Sequence, residues 1–456
     1  MFTMFNRETI LILITLSLLA WPGCRRPRED GDGGVPGRET AAAASTEASP
    51  SEPVDDEEVD YEDERPAGKG RPRRFSAQEM LGGLGYVDTA EDEDPEDAGQ
   101  SGVVLYDEQR SSPGYTLYTS IPMRTARLID VRGTVIKEWS APDSKRWFSA
   151  ELEPDGKLLV VGLEERDKSE VAYTPHDYGY VMRMTWDGGV IWKKTLALHH
   201  DADVTPDGHI ISPDDRVRVV EEFDLDIRDN NVIRLTADGE KVDERSMYDV
   251  FSSAPDIISV SMPSKKTKTA ENDRIDLFHT NSVEWMDDPA LAARHEIYGL
   301  ENVLVSCRLQ DTIAIFNWTT GKALWAWGRG EIEGQHDATV LPSGNILLFD
   351  NGMNRRWSRV IELDPLTKRI VWEYKGDPPA DFYSASRGTS QLLPNGNVLV
   401  ALSNSGAGVE ITRDGQIVWR FLNPDHEDGK RAVLRMRRYD VDFVKAILSR
   451  HGDDGR

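Results

Sequence analysis

The sequence of 456 residues predicts an all-β fold, a six-bladed β-propeller that follows a signal peptide and a disordered acidic tether. Three observations predict this architecture. A strand-turn-strand motif recurs six times, a second hairpin recurs beside it, and the N-terminal part of the chain is poor in large apolar residues after one short apolar run. The propeller motif is the strongest of the three signals.

The repeated unit is a short apolar strand, a polar turn and a second strand that usually ends in tryptophan, as in "VIELDPLTKRIVWEY". The copies recur at roughly 50 residues, which is the spacing of propeller blades. One longer gap holds the Ser- and Lys-rich stretch "SVSMPSKKTKTAENDR", which we expect to be a surface excursion. A β-sandwich is the weaker alternative, because a sandwich does not repeat one hairpin pair six times. The copies begin near Leu128, Val181, Asn231, Ile313, Val360 and Gly408.

The second hairpin starts with histidine in two places, "HHDADVTPDGHIIS" and "GQHDATVLPSGNILLFDNG". Its Pro-X-Gly turn supplies a fixed φ and a residue that tolerates positive φ. Aligning the prolines of the two turns superposes His200 on His336, and "FHTNSVEW" places His279 level with both. Since the first strand of each propeller blade lines the central channel, we expect these three histidines to converge.

Arginine joins the predicted cluster. The antiparallel register of "ENVLVSCR" places Arg308 opposite His279, and "SRGTSQLLPNGN" places Arg387 and Thr389 where a further blade would carry its histidine. Several imidazoles and two guanidinium groups favour an anion with several oxygens, because arginine offers a planar fork of donors and stays charged. A zinc site is the alternative. Nearby arginines would repel the cation, so we expect no metal and no cofactor.

Other chemistry has little support in the sequence. The sequence has two cysteines, and if Cys24 is lipidated only Cys307 remains. Cys307 lies in the apolar run "NVLVSCR", which predicts a buried small hydrophobe rather than a nucleophile. CxxC, HExxH and phosphate-binding Gly-rich motifs are absent from the sequence. A net charge of −26 without a basic stripe argues against a nucleic-acid partner.

The N-terminal stretch "RETILILITLSLLAWPGC" has the charged start, short apolar run and small residue before cysteine of a lipoprotein-type signal peptide. We expect lipidation at Cys24, with a plain secretory signal as the alternative. The expected location is the bacterial cell envelope, as an outer-membrane lipoprotein that faces the periplasm or the cell surface. The expected segments are the signal peptide (1–24), the disordered acidic linker (25–105), the propeller (106–425) and a tail in which a helix is one option (426–456).

Five motifs in this order resemble the bacterial arylsulfate sulfotransferases over residues 113–424: "HHDADVTPDGH", "FHTNSV", "SCRLQDTIAIFNWTTGKALWAWG", "GQHDATVLPSGNILLFDNG" and "SRGTSQLLPNGNVLV". The resemblance implies an enzyme that moves a sulfuryl group from a phenolic sulfate ester to a phenol through a sulfohistidine. It implies His336 as the sulfated residue. It further implies that catalysis is assisted by His200, His279 and Arg308, and that substrate is bound by Asn281 and Thr389. The hairpin register adds Arg387 to the expected substrate-binding residues.

A second hypothesis is a non-catalytic propeller on a lipid anchor that binds a ligand or a partner protein, since fold alone does not decide function. A propeller with this fold but altered or lost activity also stays open. The convergence of three histidines and two arginines favours the enzyme, because a scaffold has no need of such a cluster.

Overall fold

The computed structural model describes residues 97–165, 178–220, 225–261 and 275–452. The predicted six-bladed propeller is confirmed, with antiparallel blades of four strands and some additional strands at their edges. The expected signal peptide, Cys24 and nearly all of the expected tether, through residue 96, lie outside the described residues. Among the helices that are described, none is long and apolar enough to cross a membrane.

The strands follow chain order around the ring, except in blade 1, whose innermost strand comes from the C-terminal part of the chain. Blades 1 to 3 are built from β1 (Gly102–Tyr106, which pairs with blade 6), β2 (Tyr115–Ser120), β3 (Thr125–Asp130), β4 (Val135–Ser140), β5 (Ser144–Leu152), β6 (Leu158–Glu164), β7 (Gly179–Met184), β8 (Val190–Thr195), β9 (Asp203–Val204), β10 (Ile210–Val220), β11 (Leu225–Leu235), β12 (Lys241–Ser246) and β13 (Ile275–Asp276). Blades 4 to 6 and the C-terminal region contain β14 (Thr280–Trp285), β15 (Asn302–Cys307), β16 (Thr312–Asn317), β17 (Lys322–Trp327), β18 (His336–Val340), β19 (Ile346–Asp350), β20 (Arg359–Asp364), β21 (Arg369–Tyr374), β22 (Thr389–Leu392), β23 (Val398–Leu402), β24 (Ala407–Ile411), β25 (Ile417–Leu422), β26 (His426–Glu427), β27 (Lys430–Arg431) and β28 (Leu434–Tyr439).

Helices are few and lie at the edges of the blades. Single 3-10 turns span Ile121–Met123, Glu296–Tyr298, Arg308–Gln310, Pro379–Asp381 and Ser403–Ser405. The α-helices are α1 (Met247–Ser252), α2 (Pro289–Ala292) and α3 (Val441–His451). Helix α3 starts at an aspartate N-cap, Asp440, and ends at Gly452, whose positive φ suits a helix C-terminus.

The tryptophans of the repeat lie between neighbouring blades. Trp139, Trp325 and Trp419 are buried, whereas Trp192 and Trp372 are partly buried. The indole N–H of Trp419 donates to the backbone oxygen of Val131, and Trp325 and Trp372 donate in the same way to the turns of their following blades. Each of these outer-strand rings therefore joins its blade to the next one, which explains why the repeat keeps tryptophan at this position. The predicted repeat starts also fall inside the third strand of each blade.

The propeller extends beyond the expected boundaries, 106 and 425. Strand β28 pairs with β2 along its whole length and forms the innermost strand of blade 1, while β1 pairs with the outer strand β25 of blade 6. These two strands could not be predicted from the repeat, because each is a single strand without the hairpin turn of the repeated unit. The expected tail therefore supplies a blade strand as well as helix α3.

A buried ion pair holds this closure together. Arg438 on β28 pairs with Glu410 on β24, and the two side chains are 1% and 0% exposed. Glu410 also accepts hydrogen bonds from the backbone of Ser112 (2.6 Å) and from Asn397 (2.7 Å), while Arg438 donates to Thr116 (3.0 Å). These bonds tie blade 6, the C-terminal strand and the start of blade 1 to one carboxylate.

Glu410→Gln should destabilise the propeller by about 3–5 kcal/mol, because it leaves the Arg438 charge buried without a partner. Urea unfolding monitored by tryptophan fluorescence measures this loss. The matched control is Glu108→Gln, which removes a carboxylate from the exposed pair with Arg132 and should leave the unfolding midpoint unchanged. Equal midpoints for the Glu410→Gln variant and the unmodified protein would contradict the assigned role.

Candidate functional site

Close to the start of the inner strand, each of four consecutive blades has a residue in the left-handed backbone conformation. These residues are His200 (φ 62°), His279 (φ 48°), Asp337 (φ 56°) and Arg387 (φ 57°). Positive φ is uncommon for residues other than glycine, and such strain clusters at functional sites. In each of these blades the conformation turns the backbone at the same end of the channel, where the candidate site residues lie.

The three predicted histidines come together at this end of the channel. The ring centroids of His200 and His279 are 5.0 Å apart, and those of His200 and His336 are 6.4 Å apart. All three are buried. The proline alignment is off by one position in detail, because the left-handed residue is His200 in blade 3 but Asp337, the residue after His336, in blade 5. The expected convergence nevertheless holds.

The tautomer of neutral His336 is fixed by Asn351, which follows strand β19. The Nδ2 group of Asn351 donates to the backbone oxygens of Ser384 and Arg387, both at 2.8 Å, so its Oδ1 faces His336. His336 Nδ1 lies 2.8 Å from that oxygen and 3.0 Å from the backbone oxygen of Gly334. Two acceptors require the proton on Nδ1, so the lone pair of neutral His336 resides on Nε2.

Burial, followed by the charge of Arg308, holds the pKa of His336 well below its ordinary value of 6.5. His279 is shifted in the same direction, and for the same two leading causes. A histidine whose pKa is lowered is neutral near pH 7. His336 is therefore a neutral imidazole with an oriented lone pair on Nε2, which is the form required of a nitrogen nucleophile.

Arg308 lies opposite His279, as the antiparallel register predicts, and its backbone N–H donates to the His279 oxygen at 3.2 Å. Its Nη2 contacts Met353 Sδ at 3.1 Å, while Nε and Nη1 are buried with no hydrogen-bond partner among the described residues. Burial lowers the pKa of Arg308 to about 10, so the guanidinium stays charged at neutral pH. A buried cation with unsatisfied donors calls for an anionic ligand.

Asn281 presents a second unsatisfied group. Its Nδ2 donates to the backbone oxygen of Gln335 at 2.8 Å, which orients Oδ1. That oxygen is buried and has no hydrogen-bond partner within the described part of the chain. The amide can therefore position a neighbouring donor, such as an imidazole or phenol proton.

A small pocket of about 20 Å³ lies at the cluster. Of the predicted site residues, His200, His336, Asn281, Arg387 and Thr389 line it. His279 and Arg308 are not among its lining residues. A cavity needs about 15 Å³ to hold a single water molecule. The pocket, which is only slightly larger, therefore has room for one small group but not for an aromatic ring.

A central channel with a cavity of about 700 Å³ adjoins the small pocket. Its walls are the innermost strands of the six blades, and it shares Asp337, Thr389 and Arg435 with the small pocket. Arg435 lies on β28, and its guanidinium donates to the His200 backbone oxygen at 3.2 Å and to Asp201 at 2.7 Å. The channel is large enough for an aromatic substrate, and Arg435 lies where the two spaces meet.

Carboxylates in the channel bind the backbone of the following blade. Asp337 accepts from Ser390 N at 2.7 Å, Asp203 from Trp285 N at 2.8 Å, and Glu284 from Val340 N at 2.9 Å. Burial, and then the charge of Glu151, raise the pKa of Asp203 to about 7. Asp337 thus joins blade 5 to blade 6. It does not orient the neighbouring His336 ring, whose Nδ1 faces Asn351.

Several titratable residues that contact the predicted histidines were not predicted as part of the site. His199 Nδ1 is 2.7 Å from His200 Nδ1, and His199 Nε2 is 3.1 Å from Asp215 Oδ1. His279 Nδ1 is 2.7 Å from Asp276 Oδ2. Asp215 lies on an extended hairpin of β10 and β11, each 11 residues long. The doubled histidine and the doubled aspartate of "SPDDRVR" were the available signals.

Cys307 is fully buried in β15, and burial raises the pKa of its thiol to about 12, so it has the properties of a small core residue. In residues 97–165, 178–220, 225–261 and 275–452, no three His, Cys, Asp or Glu side chains form a group that could hold a metal ion.

Fold and site define a class of protein, a six-bladed β-propeller with a buried cluster of histidine and arginine side chains at one end of its channel. The family model for arylsulfotransferase (ASST) matches residues 166–424, more than half of the chain, and the chain belongs to this family. Membership supports a sulfotransferase enzyme that acts on small phenolic substrates. No curated protein matches the sequence.

Solved structures are similar to this chain at low identity. A protein of unknown function from Bacteroides caccae is 14% identical, with 72% of this chain and 100% of that chain covered and a TM-score of 0.47. Virginiamycin B lyase from Staphylococcus aureus is 12% identical, with 74% and 88% covered and a TM-score of 0.39. These values are too low to support an inference about function.

Proposed function

We propose that this protein transfers a sulfuryl group from a phenolic sulfate ester to a phenol through a sulfohistidine at His336. The observation that carries the proposal is the pairing of two features. His336 has its Nε2 lone pair fixed by Asn351, and Arg308, which lowers the pKa of His336, has two buried donors without a partner among the residues that the structure describes. The first feature supplies a nucleophile and the second supplies charge for sulfuryl oxygens.

In the first half-reaction, His336 Nε2 attacks sulfur. The N–S bond forms as the S–O bond to the phenolic oxygen breaks, and the electron pair stays on that oxygen. The leaving phenolate takes a proton from the imidazolium form of His200, which lines the same pocket. The positive charge of Arg308 opposes the negative charge on the sulfuryl oxygens, in the way that cations assist phosphoryl transfer.

In the second half-reaction, the oxygen of the acceptor phenol attacks sulfur. The new S–O bond forms, the N–S bond breaks and its electron pair returns to His336 Nε2. The phenol proton passes to His200, which restores the starting state, so the cycle needs no external acid or base. Asn281 and Thr389, which also line the pocket, contribute by orienting the substrate.

The two spaces at the site suit the two parts of the substrate. The small pocket accepts the sulfuryl group, and the aromatic ring extends into the channel cavity beside Thr389, which lines both. This placement rests on size, because an aryl ring exceeds the small pocket but not the channel.

Mixing the purified protein with a chromogenic aryl sulfate, with and without added phenol, tests the proposal. Sulfated phenol should form with ping-pong kinetics, because the donor's phenol leaves before the acceptor binds. No transfer to any phenol would reject the sulfotransferase proposal. It would favour the alternative, a non-catalytic propeller that binds a ligand or partner.

The proposed location follows from residues 7–24 of the sequence. We propose that Cys24 is lipidated and attaches the protein to the outer membrane of a bacterial envelope, with residues from 25 onward as a tether. Cys24→Ser should move the protein from the detergent phase to the aqueous phase in a phase-separation extraction. Retention of this variant in the detergent phase would reject lipidation.

A further inference from the structure

We propose that His199 and Asp215 form a proton relay that sets the protonation state of His200. This inference rests on the proposed sulfuryl transfer and adds two positioning residues to it. The relay runs from the small pocket into the hairpin of β10 and β11, from His200 through His199 to Asp215.

The geometry gives each member of the relay one assigned role. An ionised carboxylate only accepts, so Asp215 Oδ1 receives the N–H of His199 Nε2 at 3.1 Å. A neutral His199 then has its lone pair on Nδ1 and accepts from His200 Nδ1 at 2.7 Å. His200 in its neutral form is thereby left with a lone pair on Nε2, the nitrogen that can take up a phenol proton.

The same relay stabilises His200 when it is protonated. Its positive charge is then connected through one imidazole to the negative charge of Asp215, which is buried and also accepts from Asn230 Nδ2 at 2.6 Å. In many enzymes a carboxylate orients a catalytic histidine through a direct hydrogen bond. Here the imidazole of His199 is inserted between the carboxylate of Asp215 and His200. His200 can therefore alternate between acid and base, as the two half-reactions require.

The surroundings of His200 differ from those of His279. Arg228 lies between the two carboxylates, 3.0 Å from Asp276 and 3.8 Å from Asp215, so Asp276, the partner of His279, is the more closely neutralised of the two. Other groups around His200 are the ring of Phe148 from β5, stacked at a centroid distance of 5.9 Å, and Arg435 from β28. His336 from blade 5 also lies near His200, and Asp201, the next residue in the chain, pairs with the same Arg435. The proton transfer is thus assigned to His200 rather than to His279.

Leaving-group dependence tests the relay. In Asp215→Asn and His199→Phe, the first half-reaction should slow about 100-fold with phenyl sulfate, whose phenolate needs a proton as it leaves. With 4-nitrophenyl sulfate, whose phenolate leaves without help, the loss should stay below about fivefold. Rapid-quench measurement of the released phenol gives both rates.

Asp214→Asn is the matched control, because Asp214 is a buried carboxylate on the same strand that pairs with Arg216. It should slow both donors equally or not at all. An equal loss for the two donors in Asp215→Asn would assign a merely structural role to Asp215 and overturn the relay. Unchanged rates for both donors would also overturn it.

Long-range ¹H–¹⁵N spectra of the histidine rings test the relay without activity. At neutral pH, neutral His200 should carry its proton on Nδ1 and His199 on Nε2. This pattern should change in Asp215→Asn and persist in Asp214→Asn. If the unmodified protein shows the pattern but transfers no sulfuryl group, the proposed function fails and the relay stands. If it transfers the group with the opposite pattern, the relay fails alone.

Discussion

His336→Ala should lose essentially all sulfuryl transfer, a fall of about four orders of magnitude or more, since a missing nucleophile removes the covalent route entirely. His336 has an Nε2 lone pair oriented by Asn351 and faces the small pocket. No other described histidine combines these features. Steady-state turnover with a chromogenic aryl sulfate and phenol measures the loss.

Mass spectrometry locates the intermediate directly. Protein quenched with donor alone should gain about 80 Da, one sulfuryl group, on the peptide that contains His336. His209→Ala serves as the matched control, because His209 belongs to a turn of blade 3 and pairs with Asp207 away from the pocket. An adduct on another peptide, or full turnover in His336→Ala, would remove His336 as the nucleophile.

Arg308→Ala should raise the barrier to transfer by about 2.7–4 kcal/mol, a 100- to 1000-fold loss, because one preorganised charge-stabilising donor is removed. The loss should fall mainly on kcat if Arg308 contacts the transferring group more strongly in the transition state than in the bound donor. Arg308→Lys should recover only part of it, since an ammonium group lacks the planar fork.

The same substitution has an electrostatic signature. Arg308 lowers the pKa of His336, after burial, so Arg308→Ala should raise that pKa toward its ordinary value. The sign follows because removing a nearby positive charge favours the imidazolium. NMR titration of the His336 ring measures the shift. Arg413→Ala, in a partly exposed pair with Glu362, should change neither rate nor pKa. An unchanged His336 pKa in Arg308→Ala would contradict the electrostatic link.

The fold and the centre of the site were predictable because both depend on short-range patterns. The six blades follow from a repeated turn and strand that each fold locally, and the convergence of His200, His279 and His336 follows from their place at the start of inner strands. The antiparallel register alone placed Arg308 opposite His279. Each of these inferences needed only neighbouring strands.

Features that depend on distant contacts were not predictable from one sequence. Strand β28 pairs with β2, more than 300 residues away, and no periodicity links them. The tautomer of His336 depends on Asn351, whose own orientation is set by two backbone oxygens around the start of blade 6. The left-handed backbone at His200 and Asp337 is held by tertiary contacts, since neither residue favours it as glycine would. Tertiary structure decided these details.

The closure of the ring by β28 has a consequence for biosynthesis. Residues 434–439 form one wall of the channel and contribute Arg435, so a nascent chain cannot complete the channel until this strand has been translated. A premature stop anywhere upstream of Leu434 deletes this wall, removes the partner of Glu410 and leaves the edge of β2 unpaired. Truncated products should therefore be inactive and prone to aggregation, even when every residue proposed to touch the sulfuryl group is present.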